Sequence, residues 1–340
     1  MFPPTIKSHS SIPFLPTIWV CISFVFFSIG CANTNDQVRF IVAGDLLLDR
    51  GVKEQIAKNG PDYLFEGVKP LIATSDLTLA NLECVVGDSS LKPIDKKFTF
   101  RAASRCLPSL FKNGINMLGL ANNHSYDFGQ EGVRQTCLNL SKKSIAYTGI
   151  HLDGKNCLPS VFNKNGSQIA VFASCFLFQN NSLVCSHSLE ELVENIKSYK
   201  YNNPQSFVLI YLHWGIELTP IPTTKQINQA HQLINAGADA IVGHHPHVVQ
   251  TIEKYNGKYI FFSLGNFIFD AQHAPENKGI LADFSIVRNK LLSVHLIPFS
   301  IVKSKPISMD GIDSESFLDE ISAISPSINI RKKNGAWKLD

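Results

Sequence analysis

Six segments of this chain place a histidine, a carboxylate or a primary amide just beyond a short apolar run. Asp45 follows the run 38–43, Asn81 and Glu83 follow 76–80, and Asn123 and His124 follow 115–121. His213 follows 207–212, His245 and His247 follow 240–242, and Asn266 follows 259–264. Neutral imidazole nitrogen with carboxylate and amide oxygen, and no thiolate, is a donor set suited to Zn²⁺, Mn²⁺, Fe or Mg²⁺ at hydrolytic sites. The string His244-His245-Pro246-His247 puts two imidazoles two residues apart in a turn preceded by Gly243, so both rings can converge on one or two ions.

Taken singly, each of these residues has a plainer role. A histidine at a strand end is more often a hydrogen-bonded structural group. Asp45 would cap a turn, and Asn122-Asn123 would tolerate a left-handed bend. His231 lies inside a helical stretch and is read as structural, as are His9, His151, His187, His273 and His295. The convergence of several strand ends, rather than any one residue, is what favours a site.

The elements that must position these groups alternate along the chain. Besides the runs already named, 168–173 reads as a strand, and 280–287 with 291–297 as a hairpin. Segments 129–143, 190–201 and 224–236 carry helical periodicity, the last stopped by Gly237. Strands alternating with helices predict an α/β layered fold, and in open α/β sheets ligand sites form beyond the carboxyl ends of the strands. The stretch after Pro306 is polar and expected to pack loosely.

Composition removes other classes. Hydrophobic residues make up 44% and charged residues 17%, which excludes disorder driven by charge. The net charge is only +3, and Lys7 with the basic tail from Arg331 accounts for all of that surplus. Binding to nucleic acid by counterion release needs a basic face, and no clustered Lys/Arg stripe exists, so no nucleic-acid partner is expected. Residues 12–30 carry no charge and end in Ser28-Ile29-Gly30-Cys31 before a polar stretch. This resembles a bacterial lipoprotein signal, with Ser28 where the usual Leu would stand. A cleaved signal and an uncleaved anchor are the other readings. The expected layout is an export segment at 1–31, a tether at 32–37, a folded domain at 38–306 and a tail at 307–340. The chain is then placed in the bacterial cell envelope, attached to the membrane by its first residues. Six of the eight cysteines lie between Cys84 and Cys185 without a C-x-x-C pair. Some could pair in an oxidising compartment, Cys175 and Cys185 being nearest, or all could be small buried hydrophobes.

The strings GDLLLDRGV (44–52), ANLECVV (80–86), LANNHSYDFGQEGVRQT (120–136), LHWGIEL (212–218), GADAIVGHHPHVVQ (237–250) and FSLGNFIFD (262–270) resemble the CapA family. These are capsule biosynthesis proteins linked to poly-γ-glutamate, and they are similar to calcineurin-like metallophosphoesterases. The resemblance covers residues 39–306. It implies a four-layer α/β/β/α metallophosphatase-like sandwich holding one or two divalent ions, Zn, Mn or Fe. Metal ligands are then expected at Asp45, Glu83, Asn123, His213, His245 and His247. His124 would be a general acid or transition-state stabiliser. The family's relatives among phosphoesterases carry Asp-x-His and Gly-Asp-x-x-Asp motifs. Leu47 fills the first histidine's place here, and Asn81-Leu82-Glu83 stands where the second motif would be. Asn266 is a candidate for substrate binding. Arg101 is another, since a guanidinium can grip a carboxylate or phosphate bidentately, although a surface arginine after a strand fits it equally. The implied activity is a metal-dependent hydrolase or transferase acting on an anionic surface polymer or its precursors. A non-catalytic assembly component of a polyglutamate synthase complex and a true metallophosphoesterase are the alternatives.

Overall fold

The structure, a computed structural model, describes residues 36–152, 157–178 and 183–340. The export segment 1–31 and most of the tether lie outside the described residues. Among the described residues no helix is long and apolar enough to cross a membrane.

The chain opens with β1 (Gln37–Leu46), α1 (Arg50–Asn59), α2 (Lys69–Ile72) and β2 (Leu77–Leu82). The short β3 (Val85–Val86) and β4 (Arg101–Ala102) pair with each other, followed by α3 (Leu107–Lys112), β5 (Met117–Gly119), α4 (Gly129–Ser141) and β6 (Ala146–Thr148). Next come β7 (Ser160–Lys164), β8 (Ser167–Cys175), α5 (Leu189–Asn202), β9 (Phe207–His213), α6 (Thr224–Asn235) and β10 (Ala240–His244). The remainder is β11 (Ile252–Tyr255), β12 (Lys258–Phe261), β13 (Asn266–Ile268), β14 (Lys278–Val287), β15 (Lys290–Val302), β16 (Lys305–Ser308), α7 (Gly311–Ala323), β17 (Ile330–Lys333) and β18 (Ala336–Leu339).

Two sheets result. The first runs β6-β5-β2-β1-β14-β15-β18-β17, with β13 beside β1 and β16 beside β15; the second runs β7-β8-β9-β10-β12-β11. Alternation along β9 shows how they stack. Phe207, Leu209 and Tyr211 join the core shared with the first sheet, while Val208, Ile210 and Leu212 join a separate core with Leu192 and Ile196 of α5 and Ala230 and Leu233 of α6. Tyr211 reaches across and donates its hydroxyl to the Ala43 carbonyl oxygen at 2.7 Å. Helices α1 and α4 bury Val52, Ile56, Val133, Cys137 and Leu140 against the first sheet. The fold is the expected four-layer α/β/β/α sandwich. Capping boxes start α5 at Ser188/Glu191 and α6 at Thr223/Gln226, satisfying backbone donors that would otherwise be orphaned.

Two readings need correction or completion. The stretch after Pro306 is not loose. It forms α7 and the β17–β18 hairpin, burying Phe317, Leu318, Ile321, Ile328 and Leu339 in the main core. Its few apolar residues fall at helical spacing and at a strand end, so an average over the segment reads as polar. The disulfide joins Cys157 to Cys185, and Cys175 is a buried free thiol whose pKa burial pushes up to about 12.

Candidate metal centre

Parallel pairing brings the polar strand ends into register. Asp45 stands opposite both Asn81 in β2 and Asn266 in β13, after a shift in β1 register between Val42 and Asp45. Such a bulge re-aims a side chain. Gly44 is required there, because a Cβ would stand 1.8 Å from the Gly265 carbonyl oxygen. In the second sheet His213 stands opposite His244. The chain leaving β10 then takes left-handed backbone at His245 (φ 99°) and His247 (φ 60°). Non-glycine residues pay of order 1–3 kcal/mol each for such conformations, which cluster at functional sites.

One group of donors is closed on itself. Atoms of Asp45, His213 and His244, all fully buried, lie within 4.8 Å of one another. Asp45 accepts from Asn81 Nδ2 at 2.7 Å and from the His245 backbone N–H at 3.1 Å, and His244 Nδ1 lies 3.5 Å from its Oδ1. His213 Nδ1 and His244 Nδ1 are 2.8 Å apart, and His213 Nε2 is 3.0 Å from Asn123 Oδ1. Burial pushes the Asp45 carboxyl up, but the His244 hydrogen bond, the His247 and His244 charges and the Asn81 donor outweigh it and hold the group at about 2. Burial, then neighbouring histidines, pushes His213 well down; burial also lowers His244 against the pull of Asp45. Ionised carboxylate with neutral imidazole is the protonation state a divalent ion requires.

A second group is open. Glu83, His245 and His247 also place donor atoms within 4.8 Å of one another. Both Glu83 oxygens and His245 Nδ1 are buried without a hydrogen-bond partner, and the nearest cationic candidate, His213 Nε2, stands 3.7 Å from Glu83 Oε1. Burial first, then the Asp45 and Glu217 charges, hold the Glu83 carboxyl well above its usual range. Burial and the His247 charge pull His245 down to about 4. An unpaired buried charge costs several kcal/mol, and a divalent ion is a partner that would satisfy all three residues. The donor set therefore fits a metal at this position.

Beside the open group, His124 Nδ1 lies 2.8 Å from Asp127 Oδ2, and Phe100 packs on the His124 ring, tilted by 34°, with centroids 4.3 Å apart. Asp127 is fully buried and also accepts from Lys96 Nζ at 2.7 Å and the Phe100 N–H at 2.8 Å. His124, Glu83 and His247 line a cleft of ≈ 540 Å³ together with Arg50, Glu217 and Phe269.

The family model for the bacterial capsule synthesis protein PGA_cap matches residues 39–271, well over half of the chain. The chain belongs to that family. It is 28% identical over 345 residues to the PGA biosynthesis protein CapA of Bacillus subtilis, covering 96% of this chain and 88% of that one. Identity to the capsule biosynthesis protein CapA of Bacillus anthracis is 28% over 286 residues, covering 80% and 69% respectively. Its fold is similar to that of a phosphatase from Mycoplasma pneumoniae, with a TM-score of 0.50, 14% identity, and coverage of 84% of this chain and 97% of that one.

In this PGA_cap family member Asp45, Glu83, Asn123, His213, His245 and His247 all come together, and His124 lines the adjoining cleft. Two residues expected to bind substrate are placed otherwise. Asn266 is fully buried; its Oδ1 meets His247 Nδ1 at 2.8 Å and its Nδ2 donates to the His247 and Glu276 carbonyl oxygens, so it positions His247. The Arg101 guanidinium donates to the Asp88 carbonyl oxygen at 2.8 Å, lies over Phe128 and is not among the cleft-lining groups. Sequence reading missed His244 as a donor, although β10 alternation puts it on the same face as inward-pointing Val242. It also missed Asp127, three residues beyond His124, and Lys96, for which loop sequence offers no periodic signal.

Proposed function

We propose that this protein is a metal-dependent hydrolase or transferase of the bacterial envelope, acting on an anionic capsule polymer of the poly-γ-glutamate type or on its precursors. The names of the Bacillus relatives support the polymer class. The observation that carries the enzymatic reading is the buried Glu83 carboxylate, unpartnered on both oxygens, next to unpartnered His245 Nδ1 and beside His124.

Asp45, His213 and His244 would hold one ion and Glu83, His245 and His247 a second, with Asn123 Oδ1, beside His213 Nε2, as a further donor. A bound divalent ion supplies Lewis acidity toward the scissile carbonyl or phosphoryl group. The chain's own residues do the rest. Asp127 fixes the Nδ1 side of His124, so proton traffic runs through Nε2, where a leaving amine or hydroxyl takes its proton. Phe100 and Phe269 wall the cleft and limit water. The export segment would tether the enzyme at the membrane, beside the polymer-synthesising machinery.

Metal analysis of the purified full-length chain, paired with rates on γ-glutamyl oligomers and on phosphodiesters, tests this reading. Bound divalent metal, with γ-glutamyl turnover lost to a chelator and restored by metal, is expected. Turnover of phosphodiesters alone would make it a phosphoesterase. No turnover of either, with polymer secretion in cells insensitive to His124→Ala, would leave an assembly component and overturn the proposal.

A further inference from the structure

The geometry points to Arg50 as an oxyanion-binding residue of the cleft, recognising the free carboxylate next to the scissile bond of an acidic polymer. This rests on the hydrolase or transferase reading for the identity of the polymer, but the subsite itself stands on the following contacts.

Arg50 opens α1, five residues beyond Asp45, and takes left-handed backbone (φ 53°), a conformation long side chains rarely adopt. Its Nε is held by Asp270 Oδ2 at 3.0 Å, and that same oxygen accepts the Gly51 N–H at 3.2 Å. The guanidinium carbon stands 5.7 Å from the Phe100 ring centroid and 5.9 Å from that of Phe269. Each ring continues to a site histidine: Phe100 packs on His124 at 4.3 Å, and Phe269 on His247 at 4.9 Å. Arg50 is thus the middle of a chain of contacts joining the proton-transfer residue to the open metal group, and all five residues line one cleft.

A surface arginine paired with one carboxylate needs none of this. Such pairs contribute about 0–1 kcal/mol and do not call for two aromatic rings or a strained backbone. Asp270 takes only Nε, and among the described residues neither Nη nitrogen has a hydrogen-bond partner. The side chain is half exposed, so the fork is presented to the cleft with its orientation fixed at the base. A fixed planar fork of this kind matches a carboxylate or phosphate bidentately. In a γ-linked glutamyl polymer each residue carries a free α-carboxylate on the carbon bonded to the amide nitrogen. Such a group would reach Arg50 when the amide lies between His124 and His247.

The test uses the full-length chain in detergent and three probes: a γ-glutamyl pentamer, the same pentamer with α-carboxamides, and phenyl phosphate. Calorimetry on wild type should show the carboxylate pentamer binding tighter than its carboxamide. Arg50→Ala should weaken the carboxylate pentamer by about 10–100-fold, as for a charged hydrogen-bonded pair, and bring the two pentamers to equal affinity. Arg50→Lys, which keeps the charge beside Asp270, should fold as wild type by thermal denaturation and still lose most of that preference. Where turnover is measurable the loss should fall on KM rather than kcat. Arg101→Ala should change none of these. A preference that survives Arg50→Ala and Arg50→Lys, or a wild type that binds no anion, overturns the proposal. Arg50-dependent binding of phenyl phosphate but not the pentamer would keep the subsite and move it to phosphate. Binding without turnover would sink the hydrolase reading alone.

Discussion

Asp45, His213 and His244 close on one another, whereas Glu83, His245 and His247 do not. Both groups hold one carboxylate and two imidazoles at the same strand-end edge, and both are deeply set. In the first, every carboxylate oxygen has a donor and Asp45 stays ionised at about 2. In the second, Glu83 has none and is held well above its ordinary value. The difference lies in the backbone. Asp45, Asn81, His213 and His244 sit on paired strands, whose register delivers donors to acceptors. Glu83, His245 and His247 lie just past the strand ends, where no ladder supplies partners. The closed group can form as the chain folds; on the proposed reading the open group would be completed by a bound ion.

The largest expected effect separates the open group from its neighbour His124. His247→Ala should lose bound metal and turnover together. His124→Ala should keep its metal while turnover falls roughly 10²–10⁴-fold. Elemental analysis beside rates on the best substrate reads both, and equal metal loss would make His124 a ligand instead. Next in size, Asp45→Ala in chelator-treated protein should lower unfolding free energy by about 2–5 kcal/mol, since two buried donors lose their acceptor at about 1–3 kcal/mol each. It strands Asn81, the His245 N–H and two imidazoles. Urea unfolding of the chelated protein measures it; a loss under 1 kcal/mol would mean that the closed group holds together only around its ion.

Much of this contrast could be read from sequence, for a physical reason. Strands β1, β2, β9, β10 and β12 are buried on both faces, so they read as continuous apolar runs whose ends are plain. Their terminal Asp45, Asn81, His213 and the histidine turn stood out accordingly. What escaped lies where burial is one-sided or set by distant chain. Helix α1 buries only Val52 and Ile56 of its ten residues, so it left no pattern, and Arg50 at its start went unnoticed. Arg101 is a candidate in sequence only because a guanidinium can grip a carboxylate or phosphate, and the group that claims it, the Asp88 carbonyl, belongs to a loop. His244 was passed over as part of a histidine string rather than counted as the last alternating position of β10. The Cys157–Cys185 bond likewise depends on the segment before β7 and the loop after β8 meeting across space, not on sequence distance.

A smaller effect bears on the open carboxylate alone. Because the folded pKa of Glu83 is raised, the folded chain binds a proton that the unfolded chain has released. Its contribution to stability is then lost as pH rises above 4.5 toward the folded value. The histidines His213, His244 and His245, all lowered, add the opposite slope. Comparing Glu83→Gln with wild type cancels their share. In chelator the variant should be the more stable by about 1–3 kcal/mol at pH 8, with the gap narrowing toward pH 5. In saturating metal the order should reverse, since the variant forfeits an ion ligand. Equal stabilities at pH 5 and pH 8 in chelator would mean that Glu83 is already paired.

The smallest effect comes from a carboxylate arranged the other way, exposed and fully partnered. Asp62, in the turn before α2, accepts from Lys112 Nζ at 2.7 Å, from Asn113 Nδ2 at 3.0 Å and from the Ser109 hydroxyl. The Lys112 and Ser109 hydrogen bonds pull it down to about 2. A lowered acid stabilises the fold above its unfolded pKa, here 3.8, and that stability is lost as pH falls toward 2. About half of the side chain is exposed, so screening by water reduces the effect to about 0.5 kcal/mol. Asp62→Asn should therefore lower stability slightly at pH 7 and match wild type at pH 2, the opposite sign and a lower window than for Glu83. Urea midpoints of the two chains across that range measure it. A gap that persists at pH 2 would assign the contribution to neutral hydrogen bonding by Ser109 and Asn113 rather than to charge. Then the pH slope of the whole protein would belong to the buried groups at the strand ends.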